Sequence, residues 1–163
     1  QMVFDEGLYD PANEPDIAYA YLFSRFKGEE WRTQKLIPQL LREYFTTKPD
    51  GIPGNDDTGT MSAWAVFSMM GFYPDCPGEP SYTLTAPTFE KVTITLDPKW
   101  YNGHNELVIS KSGSNENGRE AKRDSYDRIS GMTLGRKTLK GYRISHEELT
   151  RGGELVFRCR AAK

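Results

Sequence analysis

An α+β fold, with helices first and a small antiparallel β region after them, is what this sequence predicts. Three observations lead there. Apolar residues recur at helical spacing through the first half of the chain. After "YPDCPGEPS" at 73–81 the apolar period drops to two. Glycine and proline fall at the joints, with Pro15 suited to a first helical turn and Gly28 and Gly71 to helix stops. The 163 residues are 37% hydrophobic and 12% aromatic, enough to build a core for one domain or two small lobes.

The first helix is expected on the stripe Ile17, Tyr21, Leu22 and Phe26. The second carries Ile37, Leu40, Leu41 and Tyr44, and Pro38 either kinks it or opens its regular part. Lys48-Pro49-Asp50-Gly51 is turn chemistry. The third stripe is Ala63, Val66, Phe67 and Met70. Its other positions, Ser62, Trp64, Ala65 and Met69, are hardly polar, so this helix is expected to be enclosed on most sides. Three short helices are too few to enclose it, and the chain reads as the tail of something larger. Short strands are expected at 82–85, 89–96, 106–110, 129–134 and 154–159. In "KVTITL", Val92, Ile94 and Leu96 alternate with polar residues, as in a strand with one wet face. The polar stretch 110–125 is expected to be an exposed loop or flexible hairpin.

Charge and composition exclude several classes. The net charge is −2, from 21 basic and 23 acidic residues, which leaves no footprint for nucleic acid or an anionic membrane. No apolar run approaches the roughly 20 residues of a membrane span. The opening "QMVFDEGLYD" lacks the basic and apolar regions of a signal peptide, which suggests a fragment with any targeting segment upstream. Cys76 and Cys159 are too few for a disulfide framework and are expected as small buried thiols. His104 and His146 have no zinc spacing. Trp64 reads as core, while Trp31 and Trp100 suit either packing or sugar stacking. Glu79 and Glu90 read as solvated, and Ser145 before His146-Glu147-Glu148 as an N-capped turn.

Two stretches hold the chemistry-bearing residues. One is "YDPANEPDIAYAYLF", with Asn13 and Glu14; the other is "GNDDTG", with Asn55, Asp56 and Asp57 in a glycine loop before the third helix. Helix capping accounts for any one of these residues, because carboxylates and amides favour helix N-termini. It does not account for three oxygen-bearing side chains in a row. Adjacent residues point apart, so one of Asp56 and Asp57 is expected to face a cavity while the other holds the loop. An amide oxygen next to a carboxylate, as in Asn13-Glu14, suits Ca²⁺, although neither stretch is an EF-hand.

The strings "NEPDIAYAYLF", "EEWRTQKL", "PDGIPGNDDTGTMSAWAVFSMMGFYP" and "PGEPSYTLTAPTFEKVTITL" resemble the C-terminal part of glycoside hydrolase family 92. The resemblance is dense over 13–96, thinner afterwards, and returns at "ISHEELTRGGELVF" over 144–157. It implies calcium-dependent, exo-acting α-mannosidases found largely in bacteria. The implied fold is a β-sandwich, then an (α/α)6 barrel, then further β structure. Residues 1–80 would supply the last barrel helices and 81–163 the β-rich part. The implied reaction is hydrolysis of terminal α-linked mannose, α-1,2 foremost, with inversion. Asp57 matches the family's base. Asn55 stands where other members carry an acid and would orient the water, with Asp56 between them. Asn13 and Glu14 match the calcium ligands. The family's general acid is a glutamate lying upstream, matched by neither Glu6 nor Glu14, so this chain alone is expected to be inactive. Implied partners are a mannose-terminated glycan and the upstream remainder of the polypeptide, in a secreted, periplasmic or cell-surface bacterial setting. The alternative function is a non-catalytic carbohydrate-binding or structural β-rich module.

Overall fold

The computed structural model describes residues 2–101, 103–113 and 126–162. Its helical half begins with a short helix, α1 (Met2–Asp5). The first expected stripe is more broken than its spacing predicts. A 3-10 turn over Glu14–Asp16 carries Pro15, then α2 (Tyr19–Leu22) runs into a second 3-10 turn over Phe23–Arg25. The Ser24 hydroxyl donates to the Tyr21 carbonyl at 2.7 Å, local competition of the kind that disfavours a regular helix. Ile17, Ala20 and Tyr21 face inward, whereas Leu22 and Phe26, expected in the same stripe, are exposed.

Pro38 does not open or end the second helix. α3 (Glu30–Tyr44) starts well before it and continues through it. Its buried face is Thr33, Gln34, Ile37 and Leu40. Thr33 Oγ1 donates to the Ala20 carbonyl at 2.8 Å and Gln34 Nε2 to the Leu84 carbonyl at 2.9 Å, which ties α3 to both halves. The following turn closes with Thr46 N–H on Gly51 O at 2.9 Å.

α4 (Thr60–Met70) stops as expected at Gly71, whose φ of 95° lets its N–H reach back to Phe67 and Ser68 carbonyls. Its buried face is not the expected one. Met61, Trp64, Ala65 and Ser68 point inward, while Ala63 and Val66 are exposed and Phe67 and Met70 are half-buried. On so evenly apolar a helix, periodicity does not choose a face. The hydrogen-bonding side chains do: Trp64 Nε1 donates to the Ile17 carbonyl at 2.9 Å, and Ser68 Oγ pairs with the Tyr21 hydroxyl at 2.7 Å.

The β half has two sheets. β1 (Phe72–Tyr73), β2 (Ser81–Leu84) and β7 (Arg143–Ser145) form an antiparallel sheet in the order β1-β2-β7. The second sheet contains β3 (Lys91–Thr95), β4 (Glu106–Ser112), β5 (Tyr126–Leu134), β6 (Lys137–Thr138) and β8 (Gly153–Ala162). Its order is β3-β4-β8-β5-β6, antiparallel except for the β4–β8 pair. Along β3, Val92 and Ile94 are half-buried between exposed neighbours, the predicted alternation. β1, β6 and β7 escaped prediction because two or three residues carry no period. Helix α5 (His146–Thr150) has the expected cap, with Ser145 and Glu148 forming a reciprocal capping box. The expected hairpin falls partly on 114–125, outside the described residues; Lys111 and Ser112 before it extend β4.

One hydrophobic cluster lies in the helical half around Tyr21, Ile37 and Trp64, and a second in the β half around Leu84, Ile109, Leu155 and Phe157. Glu79 is exposed but engaged, since it pairs with Arg25 at 3.0 Å and Arg143 at 2.9 Å, a correction to its reading as merely solvated. Both guanidiniums also reach the buried Asp75. Cys159 is a buried free thiol as expected, whereas free Cys76 is half-buried. No helix among the described residues is long and apolar enough to cross a membrane.

Candidate active site

The glycine loop before α4 adopts an uncommon backbone. Asp57 and Thr58 have φ values of 45° and 60°, and Gly59 follows at 88°. Asp tolerates the left-handed region, but a β-branched threonine there is strained by roughly 1–2 kcal/mol. Local bonds hold the turn in place. Thr60 donates to the Asp57 carbonyl through both N–H (3.2 Å) and Oγ1 (2.7 Å), and Met61 N–H donates to Asp56 O at 3.2 Å.

The neighbouring carboxylates divide the work. Asp56 is half-buried and accepts from the Ser62 N–H at 2.8 Å and the Ser62 hydroxyl at 2.9 Å. It therefore satisfies a backbone donor in the first turn of α4, where Gly59 at the N-cap has no side chain to do so. Capping explains Asp56. It does not explain Asp57, which turns away and lines an open cleft. Asn55 is exposed in the approach to the turn and does not line the cleft.

Asn13 and Glu14 stand on the cleft's other wall. Asn13 occupies the N-cap position of the 3-10 turn but makes no side-chain cap bond, so its amide is not spent on the backbone. Asp10 does the local bracing, accepting from Ala12 N–H at 2.9 Å. Two contacts join the walls. Gly54, at φ 64°, packs so closely on Ala12 that a Cβ there would come within 2.7 Å of the Ala12 Cβ. Trp64, on α4, bonds the carbonyl of Ile17 just past the Asn13-Glu14 turn. The space between is an open cleft of about 530 Å³, lined by Ala12, Asn13, Glu14, Pro15, Asp57, Thr58 and Thr60. Sequence reading missed the last two; a threonine trapped between Asp57 and Gly59 was the available signal.

The cleft wall carries two carboxylates, an amide and two threonine hydroxyls, with no cationic side chain among its lining residues. Such hard oxygens match the donor chemistry of Ca²⁺. Asn13 and Glu14 by themselves offer at most three of the six to eight oxygens the ion takes, and no group of three or more His, Cys, Asp or Glu side chains is placed to hold a metal among the described residues. The donor types fit and leave positions open for water or sugar hydroxyls.

Known proteins resemble this chain in sequence and fold. The Glycosyl hydrolase family 92 catalytic domain model matches residues 1–161. A family GH92 alpha-mannosidase from Bacteroides thetaiotaomicron superposes with a TM-score of 0.78 at 27% identity, covering 94% of this chain and 19% of that one. A Family GH92 inverting mannosidase from the same bacterium gives 0.75 at 31% identity, covering 98% of this chain and 20% of that one. An uncharacterized secreted glycosidase of the fungus Arthroderma benhamiae is 33% identical over 90 residues, 55% of this chain and 11% of that protein. The chain thus spans about a fifth of the solved structures and about a tenth of the curated relative. With a match running nearly end to end and the cleft sitting within it, the chain belongs to glycosyl hydrolase family 92.

Proposed function

We propose that this chain supplies one side of the active site of an inverting, exo-acting α-mannosidase acting on mannose-terminated glycans. The observation that carries the reading is that Asn13, Glu14 and Asp57, more than forty residues apart in sequence, line one cleft. Two structural relatives are described as mannosidases, one of them as inverting, and the first has also been solved with mannoimidazole.

Inversion needs a base that activates water on the face opposite the leaving group, and an acid that protonates the leaving oxygen, with carboxyls roughly 6.5–9.5 Å apart. Asp57 is the base: it is fixed by a strained turn and faces an open cleft with room for water and a sugar ring. Asp56 positions it through its double hold on Ser62. Asn13 and Glu14 would hold Ca²⁺. The ion would supply Lewis-acid grip on sugar hydroxyls. By the family resemblance the general acid is an upstream glutamate, matched by neither Glu6 nor Glu14, and on that reading the 163-residue chain alone releases negligible mannose. The secreted relative supports an extracytoplasmic setting, and since bacterial and fungal proteins both match, a bacterial source rests on family prevalence alone.

The test is mannose release from α-1,2-mannobiose by the full-length protein, with chelator and with calcium restored. Activity should vanish and return. Asp57→Asn should lower turnover by about 10²–10⁴ with the fold intact; a near-normal rate removes Asp57 from the role. Calcium should also raise the melting temperature, as any ligand of the folded state does, and Glu14→Gln should abolish that rise.

A further inference from the structure

The two walls of the cleft are held by contacts of opposite sense. Gly54 against Ala12 is a stop: their separation is already too small for a Cβ on Gly54, so the walls come no closer. The Trp64 indole is a tether. Its Nε1–H, donated to the Ile17 carbonyl at 2.9 Å, keeps them from moving apart. The same Ile17 closes the turn that carries Asn13 and Glu14. Its N–H donates to Glu14 O at 3.2 Å, beside Asp16 N–H on Asn13 O at 2.9 Å. On the other wall Thr60 bonds the Asp57 carbonyl. Trp64 follows one helical turn later, a rise of about 6 Å. Short hydrogen bonds and one turn of α4 therefore run unbroken from Asp57 to Glu14.

The ring has no freedom to aim its N–H elsewhere. Trp64 is only 2% exposed. Phe45 stacks on it with centroids 5.3 Å apart, and Tyr21 and Tyr73 lie edge-on to it at 6.3 and 6.5 Å. A second buried bond, Ser68 Oγ with the Tyr21 hydroxyl at 2.7 Å, joins α4 to the segment before α3 one turn further along. Tyr21 does not line the cleft, so that bond holds the elements together without touching the Glu14 turn. Any apolar ring would satisfy the packing at position 64; the indole adds a donor. We propose that Trp64 is a positioning residue, whose N–H fixes Asn13 and Glu14 relative to Asp57 so that a mannoside held at the first two meets the base in register. The role deepens the reading of the cleft given above and rests on it. A misplacement of about 1 Å is enough to cost roughly 10²-fold in rate, while binding at the Asn13–Glu14 wall survives.

The test compares Trp64→Phe with Ser68→Ala in the full-length protein. Each breaks one buried hydrogen bond between α4 and the segment before α3, and both should lower the melting temperature. At saturating calcium, Trp64→Phe should lower kcat on α-1,2-mannobiose about 10–100-fold with KM within about threefold. The calcium concentration that gives half the melting shift should also rise several-fold, because a released turn no longer presents Asn13 and Glu14 together. Ser68→Ala should leave kcat, KM and the calcium response at wild-type values. Phe45→Leu, which keeps the N–H but removes the ring stacked behind it, is the milder variant and should give the same split at about three- to tenfold. Wild-type kcat in folded Trp64→Phe, or in folded Phe45→Leu should the first not fold, would overturn the role. Losses in Ser68→Ala matching those in Trp64→Phe would overturn it too, since kcat would then follow stability alone. The reading of the cleft fails by a different sign: wild-type activity that ignores chelator, or a normal rate in Asp57→Asn, and the positioning role falls with it.

Discussion

Thr58 is where local preference and structure conflict most openly. A β-branched residue at φ 60° between Asp57 and Gly59 is held there by the bonds around the Asp57 carbonyl and by the cap from Asp56. Strain of this kind gathers at functional sites because the surrounding structure over-determines it. Replacing Thr58 with glycine releases about 1–2 kcal/mol of left-handed strain against about 0.5–1 kcal/mol of added chain entropy. The melting temperature of Thr58→Gly should therefore hold or rise slightly while turnover falls, as measured by thermal unfolding beside mannose release. A clear drop in melting temperature would show that the Thr58 side chain supports the loop instead of straining it. The two carboxylates before it were legible only as a pair. Asp56 and Asp57 carry the same chemistry in sequence, and it took Ser62, six residues past Asp56, to decide which one is occupied.

At the scale of elements, the cleft exists because the 3-10 turn at Glu14–Asp16 is pressed against the loop that precedes α4. Gly54 sets that approach. In Gly54→Ala the new methyl would sit 2.7 Å from the Ala12 Cβ, so one wall must move. A loss of about 1–3 kcal/mol is expected from overpacking, with weaker calcium stabilisation because Asn13 shifts relative to Asp57. Adding Ala12→Gly should restore most of both, measured by denaturant unfolding and by the calcium-induced melting shift. Failure of that rescue would place the damage in the positive φ of Gly54 and not in the contact. α4 carries the complementary lesson. Its stop at Gly71 was readable from one residue, yet its inward face was not, since an apolar stripe can be drawn through either side.

For the whole molecule, the helical and β halves are clamped by Asp75, whose side chain is fully buried between Arg25 at 2.9 Å and Arg143 at 3.3 Å, with Glu79 joining from the surface. Arg25 ends the second 3-10 turn and Arg143 begins β7, so one carboxylate bridges both parts. Asp75→Asn should cost about 2–4 kcal/mol, less than for a fully buried pair because the guanidiniums are 33% and 29% exposed. The Arg25 hydrogen bond holds the exposed Glu79 carboxyl below its ordinary value of 4.5, and Lys137 does the same for Glu148. A lowered folded value means a stabilising contribution that is complete above the ordinary value and lost as pH falls through the lowered one. Urea midpoints should thus decline below about pH 4.5, and less steeply in Glu79→Gln and Glu148→Gln, with high salt shrinking the difference. A midpoint independent of the two substitutions would remove these pairs from the acid limb.

Residues close in sequence determined a good deal on their own. The change from helices to strands near 73–81, the stop at Gly71, the alternation along β3 and the capping box at Ser145 all rest on contacts within a few positions, and each is present in the fold. The family resemblance was carried by the same short strings. Tertiary structure decided what no local pattern encodes: the inward face of α4, the parallel pairing of β4 with β8, and the meeting of Asn13 and Glu14 with Asp57 across one cleft. The physical reason is range. Periodicity and turn chemistry act through backbone geometry over one or two turns, whereas the cleft depends on Trp64 finding the carbonyl of Ile17 and Gly54 finding Ala12, contacts set only when distant segments pack.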